Sequence, residues 1–274
     1  MKFCKKLALV AMTAVTAISV TSCDYLTELL DMLLNEGGEE EGTEYVDKWA
    51  GLVNETVYDA VVDGNTLTYG THKYTVSGEI NYDTEDFKTP TAFVTFTNVP
   101  SGYAEFEAVY KGLLGKSLQG TAAMVPMAME IYARHADTGE RCFELLCDSN
   151  ATVSGIIRIL KTKIVPSEFS PEDDSYIQRF LPAASLKGAV YTNAYTPAYP
   201  YTVQTCASPN KFQEKKMSPY GTVYYTYIIA DGWDTTQRAV DLFLPLNETL
   251  YKVNGCASCY TQCKDIQGTW GGLK

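Results

Sequence analysis

Cysteine is the residue type with the most chemistry to offer in this chain. Eight are present, and beyond Cys4 and Cys23 six remain: Cys142, Cys147, Cys206, Cys256, Cys259 and Cys263. An even number in an exported chain favours disulfides, although six cysteines allow many pairings and spacing alone does not choose among them. Cys142 and Cys147 fall on one expected helix, where a separation of five residues points them about 140° apart, so they are not expected to pair with each other. Cys206 and the Cys256-x2-Cys259-x3-Cys263 cluster are the natural partners, stapling the C-terminal tail to a sheet. The alternatives are free thiols, or a zinc site made by the cluster with Cys206 or a histidine, since two thiolates spaced CxxC reach one ion. The oxidising compartment argued below favours disulfides. Neighbours Ala257, Ser258, Tyr260 and Thr261 offer no charge to activate a thiolate, so no metal, cofactor or catalytic cysteine is assigned.

Histidine is scarce. Only His72 and His135 are present, neither stands in an HExxH-like setting, and both are expected to be surface residues without chemistry. Gly115-Lys116-Ser117 has the ending of a phosphate loop but carries Tyr110 where the first glycine belongs. Glu172, Asp173 and Asp174 follow Ser170-Pro171 and are explained by a helix start. Met124, Met127 and Met129 read as core filler. No catalytic residue is assigned, and the chain leans away from being an enzyme.

Tyrosine is the remaining candidate. Eight of the 20 tyrosines lie between Tyr191 and Tyr227, with Trp233 just beyond. Aromatic rings on a surface stack on sugars or form protein interfaces, whereas in strands tyrosine is ordinary cross-strand filler. Tyr195, Tyr199, Tyr201 and Trp233 are the ligand-binding candidates, for a glycan or an envelope protein.

The N-terminus sets the compartment. Lys2, Lys5 and Lys6 precede an uncharged 14-residue run, Leu7 to Val20, too short for the ~20 residues of a membrane span and suited to a secretion signal. Val20-Thr21-Ser22-Cys23 resembles the lipobox of bacterial lipoproteins, with Val20 and Ser22 in place of the preferred Leu and Gly or Ala. The resemblance implies cleavage after residue 22 and lipid on Cys23. Acidic residues just behind that cysteine resemble the surface-export signals of Bacteroidota lipoproteins. The expected location is therefore a membrane outside the cytoplasm, the outer membrane in particular, with the domain periplasmic or surface-exposed. Residues 25 to 34 place Leu26, Leu29, Leu30, Leu33 and Leu34 at helical spacing. Asn35 to Thr43, Gly-rich and acidic, reads as a self-repelling tether.

Without the three leader lysines the chain has 22 − 3 = 19 basic against 33 acidic residues, a formal charge of −14, which argues against nucleic acid as a partner. Strand signals run from Asn54 to Val99, with Asp63-Gly64-Asn65 as a hairpin turn. Helical segments follow at Ser117 to Arg134, with a kink or start at Pro126, then at Gly139 to Cys147, Ala151 to Lys161 and Ser170 to Leu181. Strands return at Tyr199 to Cys206, Gly221 to Ile229, Ala239 to Leu244 and Thr249 to Val253. That order predicts an α+β domain over residues 45–274, an antiparallel sheet with helices on one face, carried on a signal peptide (1–22) and an anchor and tether (23–44). Lys187-Gly188-Ala189, Asn193, Tyr195-Thr196-Pro197 and Pro200-Tyr201-Thr202-Val203, with Gly120-Thr121-Ala122-Ala123 and Met127-Ala128-Met129-Glu130, resemble an uncharacterised bacterial domain family over roughly residues 103 to 253. The resemblance implies a shared fold and no activity. Three roles stay open: a binding module, which leads, a structural envelope lipoprotein, and a carbohydrate-active hydrolase.

Overall fold

The computed structural model of the chain describes residues 56–83, 86–149, 151–164, 180–208, 215–232, 237–261 and 263, without the side chains of 215–217. Cys23, the leader, the leucine-rich segment, the tether, Trp233 and the Ser170 helix start lie outside the described residues.

The elements are β1 (Ala60–Asp63), β2 (Thr66–Tyr69), β3 (His72–Gly78), β4 (Ala92–Phe96), α1 (Tyr103–Gly112), α2 (Leu118–Arg134), α3 (Ala136–Leu146), α4 (Val153–Lys161), β5 (Tyr201–Ala207), β6 (Lys215–Ser218), β7 (Gly221–Ile229), β8 (Gln237–Pro245) and β9 (Lys252–Gly255). The nine strands among the described residues join one sheet in the order β1-β2-β3-β4-β5-β7-β8-β9, with β6 continuing the line of β5 along one half of β7. Every ladder is antiparallel. The expected α+β architecture is the observed one.

Registry explains the core. Pairings align Leu67, Tyr74, Phe96 and Tyr201, then Val94 with Val203, and Thr226, Val240 and Leu242 with their neighbours up to Val253 on one face. A strand alternates its side chains between faces, so this one register buries a continuous apolar surface. Helix α2 lies across it. From Gln119 to Tyr132 every residue of α2 is buried, including Ala122, Met124, Met127 and Met129, as a helix apolar all round must be. Ser117 caps it, its hydroxyl accepting from the Gly120 amide at 3.1 Å, and the helix runs through Pro126 without starting there. Helix α3 then packs on α2 so closely that a Cβ on Gly139 would stand 2.2 Å from Tyr132 Cα.

The opposite face carries threonines. Thr66 and Thr75 share a hydrogen bond at 3.0 Å, and Thr95 and Thr202 one at 3.5 Å. Part of this face is covered by the β3–β4 connection: Tyr82 donates to the Tyr225 carbonyl, and both Cys206 and Gln237 donate to the Phe87 carbonyl.

Candidate functional site

Glu105 sits in the first turn of α1 and is almost wholly buried. A carboxylate there must be compensated. Its Oε2 accepts from the Ser101 amide and hydroxyl, both at 2.8 Å. Its Oε1 accepts from Tyr74 at 2.8 Å and from His72 Nδ1 at 2.7 Å. Burial pushes its pKa up, but the hydrogen bonds of His72, Ser101 and Tyr74 outweigh that and hold the carboxyl below its ordinary value. Burial and the adjacent Glu105 charge push the Tyr74 phenol well up. The histidine side chain keeps 23 % exposure against 1 % for the glutamate, so the imidazole is the route by which this carboxylate meets solvent. Beside the hub, Arg134 stands 3.5 Å from buried Glu130 and donates to the Pro100 carbonyl. His72, expected on the surface without a role, is thus a strut. The signal was not local, since its partner lies 33 residues away. His135 also has a structural role: Nδ1 accepts from the Thr138 amide and caps α3.

What the hub steadies is the hairpin pair β1–β2–β3. Tyr69, paired with His72, is met edge-on by Tyr58 at 5.6 Å. All four residues of β1 are exposed, and no strand lies beyond it among the described residues. Of the seven large hydrophobic residues exposed among the described residues, four fall in one stretch: Val57, Tyr58, Val61 and Val62. A bare strand edge presents unpaired amides and carbonyls to any passing chain. The sheet offers this edge on a fixed support.

The tyrosine candidates separate. Tyr195 is fully buried, stacked on Phe180 at 4.3 Å and donating to the Gly232 carbonyl. Tyr199 is 71 % exposed and meets Tyr201 edge-on at 5.7 Å, while Tyr201 leans on Phe96 at 5.6 Å. Tyr199 and Tyr201 therefore form one aromatic corner, and Tyr195 does not share it. Tyr220, also exposed, is at the β6–β7 turn next to Leu246. The segment around these tyrosines is organised by Asn193, whose amide donates to the Gly188 and Thr196 carbonyls and whose oxygen accepts from the Val190 and Thr196 amides. Gly188 takes a φ of +78° and its amide donates to Asp231.

The six cysteines among the described residues are all buried, and no two of their sulfurs stand at bonding distance. Cys206 faces the covered outer side of β5, two strands from β8, where Cys259 reaches the Ala239 carbonyl. Two strand spacings are roughly 10 Å, beyond the reach of a disulfide. The neighbour of the C-terminal cluster is instead Cys147, which bridges to Val253 at the end of α3 and shares an electrostatic environment with Cys256. Burial pushes Cys147, Cys206, Cys259 and Cys263 up to about 12, outweighing Lys252 beside Cys147 and Arg238 beside Cys259 and Cys263. These are protonated thiols at neutral pH, poor nucleophiles. Among the described residues no group of three or more His, Cys, Asp or Glu is placed to hold a metal.

Fold and site together define an α+β domain on a single antiparallel sheet, with a carboxylate hub under its first hairpins and a bare apolar edge beside them. The chain belongs to the family described as domain of unknown function (DUF6935), whose profile matches residues 98–267. The match takes in the Lys187–Val203 segment and α2, and it begins just after β4. No curated protein and no solved structure matches the chain. No helix among the described residues is long and apolar enough to cross a membrane.

Proposed function

We propose that the protein is an envelope lipoprotein, held to the outer membrane by lipid on Cys23, that works as a non-enzymatic binding module. The observation that carries the binding reading is the concentration of exposed apolar side chains in β1 and just ahead of it, Val57, Tyr58, Val61 and Val62, at a strand with no outer neighbour among the described residues. Scattered surface hydrophobes need no explanation, whereas several gathered at one strand edge are what an interface uses. The hub supports it, because four donors on one buried carboxylate fix α1 and β3 with the edge beside them. An in-cell photo-crosslinker at Val61, compared with one at exposed Thr192 on the far loop, tests the reading. A discrete adduct from Val61 alone is expected, and equal labelling from both positions would sink it.

The anchor has its own test. Cys23→Ser moves the protein from the membrane to the soluble fraction, and the intact mass of the wild type carries the acyl chains. Retention of the variant on membranes would overturn the lipid reading.

A second reading rests on Tyr199, whose exposed ring is held by Tyr201 and Phe96 as a fixed platform suited to stacking on a sugar ring. Tyr199→Ala would then abolish any glycan-array signal while leaving the Val61 adduct intact.

A further inference from the structure

The edge strand also carries information on what it pairs with. The turn Gly64-Asn65 makes Asp63 and Thr66 the closing pair of a two-residue hairpin, and in such a hairpin that pair is hydrogen-bonded. Bonding alternates along an antiparallel ladder. Asp63 and Val61 therefore bond inward to β2, and the amides and carbonyls of Ala60 and Val62 point away from the sheet. Those four groups are the docking points for another strand.

Side chains alternate in the other direction. Val62 turns toward the helices, lying opposite Leu67 and within 3.8 Å of the position a Cβ on Gly112 would take. Val61 and Asp63 consequently share the outer face, Asp59 stands one residue ahead of the strand, and all three are exposed. Behind them on that face come Thr68 opposite Val61 and Thr66 opposite Asp63. The nearest cation in the same rows is Lys73, two strands in and opposite Thr68, while Lys111 on α1 is engaged by Glu107 at 2.7 Å. The rim therefore reads acid, apolar, acid, with no cation within it.

We infer that β1 takes up an extended, cationic segment of a partner protein as an added antiparallel strand, with basic side chains opposite Asp59 and Asp63 and an apolar one opposite Val61. This rests on the binding-module reading and narrows it to a class of partner. Charge complementarity selects that occupant. Opposite charges directly across a strand pair are favourable and like charges are not, and a second copy of this chain, bringing its own two aspartates and a large negative charge, is the wrong match.

The test uses the full chain in detergent and two synthetic ten-residue peptides, one alternating lysine with valine, the other alternating glutamate with valine. Binding is followed by amide exchange at residues 60–63 and by titration at low and physiological salt. The lysine peptide is expected to bind, slow exchange at Ala60 and Val62, and weaken with salt, while the glutamate peptide does not bind. The double variant D59N/D63N should weaken the lysine peptide about tenfold, and Val62→Pro, which deletes one outward amide, should abolish the exchange protection. Thermal unfolding checks that both variants fold. Equal binding of both peptides would overturn the cationic class and leave the edge as an interface. Lysine-peptide binding that ignores both variants would overturn the edge itself. Sedimentation as a dimer through β1, or failure of both peptides with amides 60 and 62 already protected, would assign the edge to another occupant and overturn the inference.

Discussion

Glu105 concentrates more consequence than any other side chain described. Its folded pKa lies below the ordinary value of 4.5, so the carboxylate contributes stability that is fully present above that value and is lost as pH falls through the lowered folded value. Glu105→Gln should cost about 3 kcal/mol at neutral pH, because His72, Tyr74 and Ser101 lose a charged acceptor. The stability gap between variant and wild type, read from denaturant midpoints, should shrink below pH 4.5, and a gap independent of pH would contradict the hub. The thiols allow a second check. With Cys147, Cys206, Cys259 and Cys263 buried and at about 12, reduced protein should resist alkylation until it is unfolded, and rapid labelling of the native chain would show that these side chains are exposed. Little of this was legible in sequence. His72 and Glu105 meet only because β3 and α1 do, and Tyr195 reads like its neighbours until Phe180 is seen stacked upon it. Asn193 was legible as a motif but not as a cause. Its four backbone bonds show that this part of the family signature builds a loop.

At the level of elements, local signals served where the chain decides locally. Ser117 stops and starts the chain by capping, and β7 spans the run Gly221–Ile229 that its β-branched and aromatic residues predicted. Helix α1 and strands β1 and β6 carry weaker signals: β1 is four residues with no buried side chain, held by its partner. The α2–α3 contact rests on the absence of a side chain at Gly139, where even one methyl group meets the Tyr132 backbone. Gly139→Ala should destabilise by about 2 kcal/mol despite its favourable helix propensity. Ser117→Ala should cost about 1 kcal/mol. Thermal melts of the two variants separate them, and a stabilised Gly139→Ala would mean that the helices do not cross where they are described.

For the whole molecule, the order strands, helices, strands was enough to give the class of fold, because only an antiparallel sheet with helices to one side reconciles it. It was not enough to join the two strand groups. Phe96 and Tyr201 are partners across more than a hundred residues, and nothing local announces that. Nor did it rank the cysteines, since Cys206 and Cys147 exchange places once the sheet is folded. The net charge behaves as a property of the whole: the chain carries a formal charge of −11, so association with cationic partners should fall with ionic strength.

The β4–β5 junction has a consequence for how this domain can be divided. The family profile begins at residue 98, so the matched segment holds β5 to β9 while β1 to β4, in the same sheet, lie ahead of it. A protein started where the profile begins would lose β1 to β4, leave Gln119 without the Gly78 carbonyl it donates to, and turn β5, now central, into raw border. Its natural repair is borrowing a strand from another molecule. Strands β1 to β4, within residues 60–96, thus cover a border that the matched segment by itself would leave open.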